Sequence, residues 1–195
     1  MDADRDTDFM LRLRQGDDLA LNALMREWQT PLLRFIYRYI GDESEALDLA
    51  QETFVRVYQN RASYRPGARF SSWLYTIAAN LCRNHLRWER RHPAVSLTQD
   101  AGEEGDSPSS GMDSLPNPGA TPATAAEQND TARCVRECIQ ALPHDLKTVI
   151  LLFEYEGLSH GEIAEIAGCS PKAVETRLYR ARNILRGQLE RLVRG

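Results

Sequence analysis

Between Arg61 and Arg91, seven arginines alternate with Tyr64, Phe70, Trp73, Tyr75 and Trp88, and Glu89 is the single opposing charge. Guanidinium groups neutralise phosphates, and aromatic rings offer stacking surfaces to unpaired bases, so this composition suits single-stranded nucleic acid. A core built on Trp73 with an incidental basic rim accounts for it equally well. A second basic run lies at 171–194, where Lys172 and six arginines face only Glu175 and Glu190. No comparable set supports catalysis. His85, His92, His144 and His160 have no Ser, Cys or carboxylate at a spacing that suggests a nucleophile and its base, and they read as surface or capping residues. Cys134 and Cys138 would share a helix face, but no second Cys/His pair at finger-like spacing completes a metal site. Cys82 and Cys169 complete the four cysteines, which read as reduced, small hydrophobic groups. No cofactor and no enzymatic activity are expected.

The 195-residue chain has a net charge of −4 and a hydrophobic content of 42%. The charge is unevenly placed. Asp100, Glu103, Glu104, Asp106, Asp113, Glu127 and Asp130 lie in one stretch, 93–132, that has no Lys or Arg, and the rest of the chain is net positive. Two basic segments separated by an acidic one is a pattern that favours a nucleic-acid partner despite the low overall charge. No run approaches the ~18–20 apolar residues of a membrane span, and the charged N-terminus lacks a signal-like apolar stretch, so a cytoplasmic protein with no membrane insertion is expected.

The elements that must position these groups read as helices throughout. Leu21, Leu24, Trp28, Leu32, Phe35, Ile36 and Tyr39 form a stripe at spacings of three and four over 17–40, with Pro31 expected to kink or divide it. Asp42 and Glu45 mark the start of a helix over 43–60. Its expected inner face is Leu47, Ala50, Phe54, Val57 and Tyr58, and its outer face Glu45, Asp48, Gln51 and Glu52. A loop follows at 63–69, then a helix from Ser71 or Ser72 to about Arg90. From about His92 to Asp130 the chain is rich in Pro, Ser, Gly and Asp, as expected of a flexible tether; a coil of about 40 residues spans roughly 35 Å on average. Helices are expected at 130–141 and 144–156. The expected architecture is all-α: two small helical domains, 1–91 and 131–195, joined by a flexible acidic linker over 92–130.

The last stretch is the most specific. Ser159 and Glu162 have capping-box spacing, Gly168 stands where the chain leaves that helix, and Ser170-Pro171 starts the next. Val174, Leu178, Ala181, Leu185, Leu189 and Leu192 supply the buried stripe of the second helix. Lys172, Glu175, Thr176, Arg177, Tyr179 and Arg180 are left outward. This is a helix-turn-helix whose second helix is suited to the major groove: Arg pairs with guanine and Glu175 can accept from a cytosine amino group.

With these elements in place, three segments resemble the sigma-70 family of RNA polymerase sigma factors. Asp48-Leu-Ala-Gln-Glu-Thr-Phe-Val-Arg-Val-Tyr58 is similar to the helix with which that family grips the polymerase clamp. Phe70-Ser-Ser-Trp-Leu-Tyr-Thr-Ile-Ala-Ala-Asn-Leu-Cys-Arg-Asn-His-Leu86 resembles its −10-melting segment, and Glu162–Gly168 with Val174–Arg182 its −35-reading helix-turn-helix. The order and the absence of further domains resemble the extracytoplasmic-function subgroup. The resemblance implies a factor that binds bacterial core RNA polymerase and directs initiation at promoter DNA, duplex at −35 and single-stranded at −10. It implies polymerase contact by Asp48, Gln51 and Glu52. It also implies −10 contacts by Tyr64, Arg65, Arg69, Trp73, Asn80, Arg83, Asn84, Arg87, Arg90 and Arg91, with the 63–69 loop holding a flipped base. Contacts at −35 fall on Lys172, Glu175, Thr176, Arg177, Tyr179 and Arg180. Glu175 stands where some relatives carry a basic residue. Relatives are often held inactive by an anti-sigma protein, a further implied partner. The linker would thread polymerase channels that otherwise hold nucleic acid. The alternatives are a conventional helix-turn-helix regulator with a helical sensor domain, and a DNA recombinase with a Tyr or Ser nucleophile; no catalytic motif accompanies Tyr64 or Tyr75.

Overall fold

The computed structural model describes the backbone of residues 3–92 and 122–194 and the side chains of 4–92 and 131–191. The described residues form eight α-helices and one short 3₁₀ turn, with no strand among them. Lobe 1 contains α1 (Ala3–Arg14), α2 (Leu19–Ile40), α3 (Glu43–Gln59), the turn Arg61–Ser63 and α4 (Phe70–Arg91). Lobe 2 contains α5 (Pro122–Gln140), α6 (His144–Glu154), α7 (His160–Ala167) and α8 (Pro171–Arg194).

Lobe 1 is built on the stripe of α2. Leu24, Trp28, Leu32, Phe35, Ile36 and Tyr39 are all buried, and Pro31 sits inside one unbroken helix rather than dividing it. Trp28 meets Phe70 at 5.8 Å and Phe35 meets Tyr75 at 5.0 Å, both edge-on, so the aromatics that open α4 are core residues. Helix α1 is an addition to the sequence expectation. Its charged residues mask a narrow apolar face, Met10 and Leu13, both wholly buried. The Trp28 indole donates to Asp6 Oδ2 at 3.1 Å, and burial pushes the Asp6 carboxyl above the usual range.

Helix ends follow local chemistry. Asp42 accepts from the Glu45 amide at 2.9 Å and starts α3. Gly41, which ends α2, has φ +97, and that conformation favours glycine; a Cβ there would lie 2.7 Å from Gln140 Cδ of α5, a contact the flexible end of that side chain relieves by moving. Helix α5 begins at Pro122, eight residues earlier than the sequence pattern places it, within the stretch assigned to the linker. Proline at the first helical turn and the alanines behind it favour that earlier start. The remaining expected linker, 93–121, lies outside the described residues.

The two lobes pack against each other. Helices α6 and α7 lie on α2 and α4, and the buried residues of the two lobes form one apolar cluster. Polar groups complete the junction. The Tyr39 hydroxyl meets Nδ1 of His144 and lies 3.1 Å from Thr148 Oγ1, while the nearly buried Lys147 ammonium donates to the Tyr39 carbonyl at 3.2 Å. Tyr75 donates to Glu156, and the Arg38 guanidinium stacks 4.1 Å over Tyr155. His144 is therefore a junction residue, not the surface or capping group its isolated position in the sequence suggests.

Candidate nucleic-acid interface

The helix-turn-helix has the expected local construction. Ser159 accepts from the Glu162 amide at 3.4 Å, and Glu162 returns a bond from the Ser159 amide at 2.9 Å, completing the capping box. The Ser159 hydroxyl also donates to Glu162 Oε2 at 2.6 Å, and that bond first, then the Ser159 amide and Arg69, hold the Glu162 carboxyl below the usual range against its burial. Gly168 takes φ +59 at the exit of α7, and Ser170 caps α8 by accepting from the Ala173 amide at 3.2 Å. Val174, Leu178 and Ala181 are buried beneath α8, which turns Lys172, Glu175, Thr176, Tyr179 and Arg180 to solvent. Tyr179 is 69% exposed, so its ring is available to a partner. Lys172 and Glu175 pair at 2.7 Å, and that ammonium holds the Glu175 carboxyl low, keeping it an acceptor. Arg177 is half-buried and reaches Asp145 of α6 at 3.4 Å. That pairing fixes its direction but leaves less of it free than of Arg180.

On α4 the sequence-predicted residues separate into two groups. Asn80, Arg83, Asn84, Arg87 and Arg91 lie on one exposed face at helical spacings, and Arg90 is exposed beside them. Arg83 donates to Asn80 Oδ1 at 2.8 Å, which orients the amide. Tyr64 and Trp73 do not join this face. Tyr64 is buried, its ring 5.4 Å from Trp73, and its hydroxyl donates to Ala68 O at 2.6 Å. It braces the loop, because a ring packed on Trp73 and tied to backbone has no free face for a base. The loop itself is a turn over Arg65-Pro66-Gly67-Ala68, closed by Ala68 N–H to Arg65 O at 3.1 Å, with Gly67 at φ +96. Proline at the second and glycine at the third position are what a type II turn requires. Arg65 and Arg69 project from this turn, and Arg69 pairs with Glu162 of α7 at 2.5 Å.

Trp88, which is not among the contacts the resemblance implies, is the aromatic of this segment that the structure exposes most, at 58%. It continues the Asn80–Asn84 face one turn further and stacks on His92 at 4.9 Å, among Arg87, Arg90 and Arg91. Its spacing of four from Asn84 was the available signal. Of the five aromatics interleaved with arginines, Tyr64, Phe70 and Tyr75 are buried and Trp73 is partly so, which leaves Trp88 to offer a stacking surface.

Asp48, Gln51 and Glu52 stand together on the outer face of α3 as expected, with Glu52 paired to Arg56 at 2.8 Å. Leu47 departs from expectation. It is exposed beside Asp48, as is Val55 one turn beyond Gln51, while Ala46 and Thr53 take the inner positions. The acidic face is thus flanked by two exposed apolar side chains.

In this arrangement candidate DNA contacts of the two lobes meet at one point. Asn80 and Arg83 from lobe 1 and Arg177 from lobe 2 line one small crevice with His144 and Asp145. Among the described residues no group of three or more His, Cys, Asp or Glu is placed to hold a metal ion, and all four cysteines are free. No described helix is long and apolar enough to cross a membrane.

The models of Sigma-70 region 2 and Sigma-70 region 4 match residues 24–92 and 132–185. The chain is 34% identical to the RNA polymerase sigma-H factor of Pseudomonas aeruginosa over 194 residues, covering 98% of this chain and 97% of that one. It is also 34% identical to the ECF RNA polymerase sigma-E factor of Haemophilus influenzae, covering 93% and 94%. Two solved structures share the fold. CnrH in complex with the cytosolic domain of CnrY gives a TM-score of 0.69 at 23% identity, covering 95% of this chain and 97% of that one. The sigma factor RpoE of Bartonella quintana, with the anti-sigma factor NepR, gives 0.59 at 22% identity, covering 86% and 97%.

Proposed function

The chain belongs to the extracytoplasmic-function group of the sigma-70 family, and from that premise we propose how its own residues divide the work of promoter recognition. It is a sigma factor that associates with core RNA polymerase and directs initiation at −35 and −10 elements. Lobe 1 carries polymerase binding and −10 reading, and lobe 2 carries −35 reading. The outer face of α3, with Leu47, Asp48, Gln51, Glu52 and Val55, docks on polymerase. The α4 face from Asn80 to Trp88 takes the unpaired strand, with Arg65 and Arg69 on the loop and Arg83, Arg87, Arg90 and Arg91 on phosphates. Lys172, Glu175, Thr176, Arg177, Tyr179 and Arg180 enter the major groove at −35.

The observation that carries this reading is the continuous polar and basic face of α4, with Asn80, Asn84 and Trp88 at one-turn intervals. Asparagine amides recognise base edges, arginines hold the backbone, and an exposed indole supplies a stacking plane. Nothing in this scheme requires a nucleophile or a cofactor on the chain; the work is done by binding. Holding a strand apart needs only that the single strand be bound more tightly than the duplex.

The packed lobes describe a closed form. Elements at −35 and −10 lie about 25 base pairs apart, roughly 85 Å along B-DNA. Helix α8, the longest element, is only about 36 Å long. One packed unit cannot serve both elements, so the lobes separate when the chain works. An anti-sigma protein is a fitting partner for the closed form, as one of the similar folds was solved with such a factor. The cytoplasm, where polymerase acts, is the proposed location.

The test is direct. The purified chain is mixed with bacterial core RNA polymerase and followed on a sizing column. Co-migration as a stable complex is the expected result. A chain that ignores polymerase but binds duplex DNA alone would instead be a conventional regulator.

A further inference from the structure

Where α4 meets the start of α6, the lobes enclose a second crevice of about 200 Å³. Its polar lining is Arg83, Arg87 and Arg90 from lobe 1 with His144 and Lys147 from lobe 2, and two leucines complete the wall. No carboxylate lines it; Asp145 lies in the adjoining crevice and is engaged by Arg177. Among the described residues, neither Arg87 nor Arg90 has an ion-pair partner. Lys147 is nearly fully buried, yet its single described hydrogen bond, to the Tyr39 carbonyl, occupies one of three ammonium protons. Burial first, and then the charge of Arg90, bring the Lys147 ammonium down to about 8, while Cys82 acts weakly the other way. The positive end of α6, an 11-residue helix whose first turn holds both His144 and Lys147, adds to the same field.

Like charges gathered from two lobes around one enclosed space oppose the packing that brings them together, unless an anion joins them. We propose that this crevice is a binding site for a small phosphate-class anion, of inorganic diphosphate size, that bridges α4 and α6 and holds the two lobes closed. At about 200 Å³ the crevice corresponds to roughly six or seven waters, a space that suits a diphosphate group. Three guanidinium forks and an ammonium match tetrahedral oxyanions, which accept several charge-assisted bonds at once. Arg83, Arg87 and Arg90 are also the proposed −10 phosphate contacts, so the bound anion and promoter DNA compete for them. That consequence rests on the proposed function; the anion site itself does not.

The full chain is titrated with inorganic pyrophosphate by calorimetry at low salt, and its radius of gyration is followed by solution scattering. The expected result is one-to-one binding with no expansion of the particle. Arg90→Gln and Lys147→Met should each weaken binding about ten-fold, the usual worth of one charge-assisted contact. Arg26→Gln, an exposed residue of α2 that lines neither crevice, should leave it unchanged. Because Lys147 is buried and its replacement could disturb folding, the exposed Arg90 decides. Undetectable binding, or binding indifferent to Arg90→Gln, overturns the proposal. A six-nucleotide single strand is titrated in parallel. If it binds through Arg90 while pyrophosphate does not, these arginines serve DNA phosphates alone and the crevice assignment falls. No polymerase is present, so failure here is distinct from failure of the sigma reading, which the sizing column tests.

Discussion

Acidification should open the lobes, and His144 is the group that should make it do so. In the closed form His144 lies half-buried at the lobe junction against Tyr39. Burial first, then the charges of Arg83, Lys147 and Arg177, lower its imidazole from 6.5 to about 4, with Asp145 opposing. Once the lobes part, the ring returns to water and its ordinary value. Between pH 4 and 6.5 the closed form therefore binds fewer protons than the open form, so this contribution is present above the window and is lost as pH falls through it. Integrated from neutral to pH 5, the linkage is about 2 kcal/mol, and solvent screening at the edge of the junction brings the expectation to about 1–2 kcal/mol. That is a change of roughly 5- to 30-fold in the ratio of closed to open chain. Glu156 acts in the opposite sense, because burial raises its carboxyl and the closed form holds that proton more tightly. Comparing the wild type with His144→Gln cancels Glu156 and every other group common to both proteins. The assay is solution scattering and thermal melting at pH 7, 6 and 5. The wild type should expand and lose stability on acidification, and the glutamine variant, which keeps a hydrogen-bonding partner for Tyr39 without titrating, should do so much less. Parallel shifts in the two proteins would refute the assignment of the junction to His144.

Charge reversal at the α3 face, Asp48→Lys with Glu52→Lys, should weaken assembly with core polymerase by about 100-fold while helix content is retained, since both side chains point outward; unchanged co-migration on a sizing column would return that face to plain solvated surface. Arg180→Ala should lower −35-dependent transcription about ten-fold with polymerase binding intact, and the same change at Arg177 should also cost some stability, through the lost contact with Asp145. Trp88→Ala should reduce opening of a fully duplex promoter by about ten-fold, restored by Phe or Tyr and largely absent on a template already mismatched at −10. Permanganate reactivity of the opened strand, on a promoter selected with the wild-type holoenzyme from random DNA, reads that difference; equal effects on both templates would assign Trp88 to packing or phosphate contact.

The helices other than α1, their caps and the helix-turn-helix were legible in the residues because each is a local matter. The capping pair Ser159 and Glu162, the left-handed Gly168 and the Ser170-Pro171 start need only their own neighbours. Charge placement and the order of three segments were likewise enough to reach the family. The sequence could not rank aromatics that share one composition. Tyr64, Phe70 and Tyr75 are drawn into the core of lobe 1 by Trp28, Phe35 and Trp73, residues near and far in the chain, while Trp88 stays exposed among the described residues. Helix α1 was hidden because Met10 and Leu13 make too short a stripe to register until Trp28 and Asp6 show what they pack beside. Leu47 was placed inward by its chemistry, and the packing of α3 turned it out. Above all, the meeting of Tyr39 with His144 and Lys147, more than a hundred residues apart, follows from no local rule. Periodicity and caps act over one or two turns of helix and were fixed by the residues themselves. Burial of a charge, and which groups share a crevice, depend on the whole packing of two lobes, and only the tertiary structure decided them.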